Sequence, residues 1–294
     1  MNILDQYDAG GGMIVDKDSS TSYSAVIAIP GIDRIFLHNP GANDTFTGKD
    51  LDLSLIKEAA LFHFGYPPIM AQMYAAGGGE LVRIFKTVKE AGCMTSMDMA
   101  AVDEQSEAGR ADWESILEKT LPYVDFFLPS IEEVCYMLDK DKYHALQKKA
   151  EGRDVTEALS IEEDAAPLAD RILQMGCKLA IIKCGAAGFY YKTGKKEAFE
   201  ELEKRSGLDF STFWDKEGFE KSYVPDAVIS GTGAGDTTIA AFLTAMIQGC
   251  PFERCLQLAA ATGASCVAAV DALSGLKSFD ELADRIDKGW AKNE

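Results

Sequence analysis

Positive charge is scarce in this sequence. Its 294 residues carry 29 Lys and Arg against 47 Asp and Glu, a net charge of −18. No basic stripe stands out, which argues against nucleic acid or an anionic membrane surface as a partner. Histidine is scarce too: His38, His63 and His144 are scattered, so a His-rich metal site is not expected. The seven cysteines (93, 135, 177, 184, 250, 255 and 266) are odd in number and form no Cys-x-x-Cys pair. That pattern suits reduced thiols in a cytoplasmic protein and argues against a disulfide framework or a zinc site. A signal peptide is not expected, because Asp5, Gln6 and Asp8 interrupt any apolar start. Long apolar runs are missing as well. Residues 256–273 approach membrane length, but Gln257, Thr262, Ser265 and Asp271 lie in or beside them, so they read as a buried helix packed through Ala and Gly.

What is present is 47% hydrophobic residues, enough for one large α/β domain. The chain is organised around Ser230-Gly231-Thr232-Gly233-Ala234-Gly235-Asp236. Residues 223–229 read as a short strand entering this turn. Ile239, Ala240, Phe242, Leu243, Met246 and Ile247 then recur at helical spacing, until Gly249 and Pro251 end the helix. A glycine-rich turn thus delivers a carboxylate to the first turn of a helix. The N–H groups there favour anions, and glycines allow a ligand to approach the backbone closely. Asp236 beside such a nest suits phosphoryl transfer to a hydroxyl: the nest holds the charge of the transferring group while the carboxylate takes the alcohol proton. An Asp in a first turn also simply complements the helix dipole, and that reading stands beside the first. No Gly-Lys-Ser/Thr follows, so this is not a P-loop, and glycines spaced two and two are not a dinucleotide fingerprint.

Elsewhere, residues 23–29 and 34–37, separated by Pro30-Gly31-Ile32-Asp33, give a hairpin signal leading into Pro40-Gly41-Ala42-Asn43-Asp44. Residues 61–64 read as a strand ending at Gly65-Tyr66-Pro67-Pro68, with His63 as a satisfied core histidine. A helix over 69–90, interrupted at Gly77, Gly78 and Gly79, precedes a strand over 93–97 that ends at Asp98. A helix over 113–120 and a strand over 123–128 lead to Ser130-Ile131-Glu132-Glu133, which has the form of a helix capping box, as do Ser160 with Glu163 and Ser278 with Glu281. Residues 139–164 and 195–222 read as charged insertions. Phe199, Phe210, Phe213, Trp214 and Phe219 pin the second to the body or to a partner subunit. Between them, a helix over 165–175 precedes a strand over 178–183. Cys184-Gly185-Ala186-Ala187-Gly188 turns that strand back into 189–191, as a hairpin turn with glycines at positive φ would. Helices over 252–270 and 278–290 close the chain. Strands alternate with helices from residue 60 on. This predicts a doubly wound, mostly parallel sheet with helices on both faces, in one domain over 1–294, with a lid hairpin over about 20–44 outside it.

Gly233-Ala234-Gly235-Asp236, with Ala240-Ala241-Phe242-Leu243, resembles the C-terminal signature of the ribokinase-like (PfkB) carbohydrate kinases. The resemblance runs over roughly residues 20–285 and takes in the lid with Pro40-Gly41-Ala42-Asn43, the Ser130 to Glu133 segment and the Lys183-x-Gly185-x-x-Gly188 turn. It implies an ATP-dependent kinase acting on a small sugar or sugar-like alcohol. Asp236 is then the base, and Gly233, Ala234 and Gly235 form the anion hole. It implies nucleotide contacts at Lys183, Gly185 and Gly188, and against the adenine at Ala260, Gly263 and Ala264. Asn43 and Gly65 fall on the acceptor side. Mg2+ is held through water near Glu133 and Asp98, and a monovalent cation such as K+ is a further candidate. The lid implies a homodimer. The chain departs from the family at Gly231, Ala100 and Ser130, and residues 1–22 match neither the family's opening strand nor its Gly-Gly-x-x-x-Asn segment, so the chain reads as starting inside the fold. A nucleoside kinase of the same fold and a non-catalytic nucleotide-binding or regulatory fragment are the alternatives.

Overall fold

The protein is described from a computed structural model over residues 2–27, 35–151 and 155–293. After a short helix, α1 (Asn2–Asp5), the strands β1 (Tyr23–Ile27) and β2 (Ile35–Asn39) pair antiparallel. Every residue of β1 is exposed, so this two-stranded ribbon stands off the body. The expected turn at Pro30-Gly31-Ile32-Asp33 lies outside the described residues. A 3-10 turn (Gly41–Asp44) and α2 (Leu53–Glu58) follow. The Asp52 carboxylate accepts from the backbone N–H groups of Ser54 and Leu55 and so caps α2.

The main sheet has six strands in sequence order: β3 (Leu61–Phe64), β4 (Met94–Met97), β5 (Phe126–Phe127), β6 (Leu179–Lys183), β7 (Gly188–Thr193) and β8 (Glu217–Lys221). The strands β3 to β6 run parallel, β7 runs against them, and β8, antiparallel to β7, runs with the first four. Side chains alternate strictly between its faces. Met97, Phe127, Ala180, Ile182 and Tyr190 face one core; Met94, Phe126, Leu128, Leu179, Ile181 and Phe189 face the other. Strands this apolar on both sides need helices on both sides. The first face is covered by helices that fall between the parallel strands. These are α3 (Ala71–Tyr74), α4 (Gly79–Glu90), the short α5 (Glu107–Arg110), α6 (Trp113–Thr120), α7 (Ile131–Leu138), α8 (Lys140–Ala150) and α9 (Ala166–Gln174). The second face is covered by α10 (Lys196–Ser206), α11 (Ala234–Ile247), α12 (Phe252–Cys266) and α13 (Phe279–Asp287). The mostly parallel sheet between two helical layers is the expected α/β architecture.

Several expectations change in detail. The interruption before α4 falls at Ala76, Gly77 and Gly78, all at positive φ. Residues 224–229 form no strand. Only Tyr223 is bridged, to Lys292, and Val228 and Ile229 are exposed. Pro225 withholds a donor there, and the sheet position is taken by β8, drawn from the segment read as an insertion. Charged β8 carried no apolar signal because it is an edge strand, where charge discourages pairing with other chains. Phe199, Phe210 and Phe213 of the same segment are fully buried in the second core. Leu146, Ala150 and Val155, from the other charged segment, are buried in the first. The boxes at Ser130 with Glu133 and at Ser278 with Glu281 form. At Ser160 it is Asp164, not Glu163, that accepts the backbone N–H, because a π-helical turn (Ile161–Ala165) displaces the register.

At the N-terminal edge of the sheet, Asp125 is wholly buried. Its carboxylate accepts from the Thr95 N–H, from Lys178 Nζ at 2.9 Å and from the Arg205 guanidinium, with Lys89 Nζ 3.7 Å away. Burial pushes this carboxyl up, but Arg205 and Lys178 outweigh it and hold it below the ordinary range. The cluster ties β4, β5, β6 and α10 together. Asp125→Ala would strand buried cations and should cost about 3–5 kcal/mol of stability. Urea unfolding at pH 7 checks this; a midpoint close to that of the native sequence would mean that the cluster adds nothing to the fold.

Candidate active site

The turn before α11 is shaped by one contact. Gly233 lies in the left-handed region (φ 79°), and a Cβ there would stand 2.2 Å from the Ala272 Cβ, so only glycine fits. The turn is pinned to the C-terminal end of α12, whose Val267 carbonyl accepts from both Ile229 N and Ser230 N. No side chain caps α11. The N–H groups of Gly235 and Asp236 have no intrahelical acceptor and face whatever lies before the helix. Asp236 is exposed at that point.

The ends of the parallel strands converge on this helix terminus. From the end of β6, Lys183 runs beside Gly235, its Cε and Nζ 3.6 and 3.8 Å from where a Gly235 Cβ would stand. Its Nζ donates to Asp98 Oδ1 at 2.7 Å, just past β4. Asp98 is buried, which pushes its carboxyl above the ordinary range; Lys183 opposes the rise and the charge of Glu133 adds to it. Glu133, at the start of α7, accepts the Ser130 N–H at 2.6 Å on Oε2, so one carboxylate both caps the helix and bears on the site. From the end of β3, Tyr66 donates its hydroxyl to Asp236 Oδ1 at 2.6 Å. Burial, then the bond to Asp236 and the charges of Asp236, Asp98 and Glu133, raise the phenol far above its ordinary value, so it stays protonated. Gly65, beside Tyr66, is exposed and has only His63 Nε2 near its missing Cβ, at 3.8 Å.

His63 is not the core histidine expected. Its residue is exposed, and Nδ1 bonds the hydroxyl of buried Ser96 at 2.8 Å. The ring itself is largely surrounded by protein. Burial and the Lys183 charge bring its pKa down to about 4 against the opposing pull of Asp236, so it is neutral near pH 7. His63, Tyr66 and Ser96 are site residues that sequence reasoning missed. The signals were present in a histidine within an apolar strand and a tyrosine between Gly65 and two prolines, but their direction depends on the pleat and on the turn.

The structure therefore brings together Asp236, Gly233, Ala234, Gly235, Lys183, Asp98, Glu133 and Gly65. Asn43 lies on the 3-10 turn Gly41–Asp44, which is tied to α3 because Asp44 Oδ1 accepts the Ala71 N–H at 2.9 Å. Of the remaining residues named from the resemblance, Gly185 is exposed and the others are buried. A Cβ on Gly188 would stand 2.1 Å from the Glu220 carbonyl of β8, and one on Gly185 2.6 Å from Thr156 Oγ1. Ala260 and Ala264 are buried, and Gly263 lies against Thr238 of α11, with 2.5 Å from its Cβ position to Oγ1. These positions set how closely β7 meets β8 and α11 meets α12.

Carboxylates and an ammonium around an anion-favouring helix terminus, at the C-terminal edge of a largely parallel sheet, define an α/β enzyme of the phosphotransferase class. The pattern of the pfkB family carbohydrate kinases matches residues 11–278, and the chain belongs to that family. An uncharacterized sugar kinase of Archaeoglobus fulgidus is 23% identical over 244 residues, covering 83% of this chain and 75% of that protein. Among solved structures, a fructokinase with bound ATP from Xylella fastidiosa superposes with a TM-score of 0.69 at 18% identity, over 98% of this chain and 81% of the other. A ribokinase of Arabidopsis thaliana complexed with ribose and ATP gives 0.62 at 18% identity, over 91% and 69%. Both share the fold. Among the described residues, no helix is long and apolar enough to cross a membrane.

The lowered pKa of His63 has a consequence for stability. Between 6.5 and about 4 the unfolded chain takes a proton on this ring that the folded chain refuses, so His63 makes stability fall as pH falls through that window. In His63→Gln this part of the acid loss disappears. Denaturant midpoints at pH 7.5 and 5 should lie closer together in the variant than in the native sequence; equal separations would show that His63 does not carry the effect.

Proposed function

We propose that this sugar kinase transfers the γ-phosphoryl group of ATP to a hydroxyl of a small sugar or sugar-like alcohol, with Asp236 as the base. The observation that carries this reading is the exposed Asp236 carboxylate in an uncapped first helical turn, beside the Lys183 ammonium. An acceptor hydroxyl hydrogen-bonded to Asp236 gives up its proton as its oxygen attacks phosphorus. The Gly235 and Asp236 N–H groups, with Lys183 behind them, hold the charge that develops on the phosphoryl oxygens. Gly65 and Asn43 form the acceptor side, over which the β1–β2 ribbon closes. The nucleotide side falls to the Gly185 turn and the α11–α12 pair. The exposed ribbon also supports pairing with a second copy of the chain.

The donor set also fits a divalent cation. Asp98 and Glu133 supply hard carboxylate oxygens on one side of the site, close enough that the charge of Glu133 adds to the effect of burial in raising the Asp98 carboxyl. Mg2+ usually takes one or two carboxylates, together with water and phosphate. Asp98 and Glu133 would hold it through water, and it would supply charge neutralisation for the phosphates.

Purified protein with MgATP, offered a panel of hexoses, pentoses, sugar acids and nucleosides, should consume ATP with one class of sugar. Asp236→Asn should lower kcat by about 10²–10⁴-fold while the thermal shift produced by ATP persists. Near-normal turnover in Asp236→Asn would rule out its role as base.

A further inference from the structure

The hydrogen bond from Tyr66 to Asp236 spans 170 positions of sequence. It depends on an unfavourable backbone. Tyr66 sits at φ 60° and ψ 43°, the left-handed region that a residue with a Cβ avoids. The proline that follows restricts the residue before it to extended conformations, which makes the left-handed turn at Tyr66 harder still to adopt. Glycine, the residue suited to such a turn, stands one place earlier at Gly65. The turn is held by Pro67 and Pro68, both buried in a 3-10 segment (Pro67–Ile69). What this conformation achieves is direction: it aims the phenol at one oxygen of the carboxylate, Oδ1, at 2.6 Å.

A carboxylate acting as a base toward a hydroxyl needs one free oxygen in a definite orientation, and an exposed Asp side chain otherwise rotates. We infer that Tyr66 is a positioning residue. Its hydroxyl fixes the Asp236 carboxylate through Oδ1 and leaves Oδ2 turned to the acceptor hydroxyl. Tyr66 keeps its own proton throughout and takes no part in the transfer. The inference rests on Asp236 being the base, and it adds a residue from the end of β3 to the catalytic arrangement.

The test compares Tyr66→Phe, Tyr66→Gly, Asp236→Asn and the Tyr66→Phe/Asp236→Asn double variant in the full chain, with MgATP and either D-fructose or D-ribose as acceptor. Tyr66→Phe should lower kcat by about 10–100-fold, the loss typical of a misplaced reacting group, with KM for ATP and sugar within about twofold of the native values. Added to Asp236→Asn, it should lower kcat no further. Tyr66→Gly relaxes the backbone, so its unfolding midpoint should not fall, yet kcat should drop as in Tyr66→Phe. Unchanged kcat in Tyr66→Phe, with Asp236→Asn inactive, overturns the positioning role and leaves the base standing; turnover in Asp236→Asn overturns the base itself. The bond is also read without any sugar. The unfolding-midpoint shifts of Tyr66→Phe and Asp236→Asn should fail to add in the double variant, and additive shifts overturn the proposal.

Discussion

Helices α11 and α12 approach closely where Gly263 meets Thr238, and the site depends on that approach. Gly263 leaves room for Thr238, whose hydroxyl bonds back to the Ala234 carbonyl at 2.7 Å. Gly233 leaves room for Ala272, just past the end of α12. With α12 lying tight against α11, the Val267 carbonyl at its end can hold Ile229 and Ser230. The N-terminus of α11 is thereby fixed at the end of the parallel strands, uncapped and open. A bulkier residue at either glycine would push the helix terminus away from Lys183 and Asp98. The small-residue composition of α12, which resembles a membrane segment in sequence, is a packing device for the helix that carries Asp236.

Charge is distributed along the sheet in two opposite ways. At the N-terminal edge, Asp125 is surrounded by Lys178, Arg205 and Lys89, and the carboxylate is stabilised as an anion. At the C-terminal edge, Lys183 pairs with Asp98, while Glu133 accepts the Ser130 N–H and Asp236 the Tyr66 hydroxyl. At the first end the buried carboxylate is paired internally and serves stability. The other carries negative charge in excess of its internal partners, which suits a site that works with cations and phosphates. The same residue types thus hold the fold at one edge and, at Asp236, remain open to solvent or ligand at the other, and burial with the local count of partners separates the two.

Much of the architecture was legible because it rests on local signals. Apolar runs of strand length, the glycine turns and the helix periodicities recur in the structure with their order intact. The Gly-rich turn with Asp236 was legible because an uncapped helix N-terminus needs only adjacent residues. What misled was context. Val228 and Ile229 looked like a strand, but apolar residues form strands only where a neighbour offers an unpaired edge, and β8 had taken it. The charge of β8 hid it, since an edge strand need not be apolar. Ser160 with Glu163 matched a box that Ser130 with Glu133 really forms, and the difference is the π-turn that shifts which carboxylate reaches the cap.

By itself, the sequence determined the class of fold, the helix that carries the anion-favouring turn and the carboxylate within it, because each depends on residues within a few positions of one another. Tertiary structure alone decided which side chains share the site. His63 and Tyr66 reach Asp236 and Lys183 only because β3 and β6 end at the same edge of the sheet, and Lys183 meets Asp98 across β5. It also decided that Gly188 and Gly263 face chain at van der Waals range, a fact set by neighbours far away in sequence. Local propensity acts over one or two turns of chain, whereas a site is assembled from elements dozens to hundreds of residues apart, and only the packed sheet brings them within hydrogen-bonding distance.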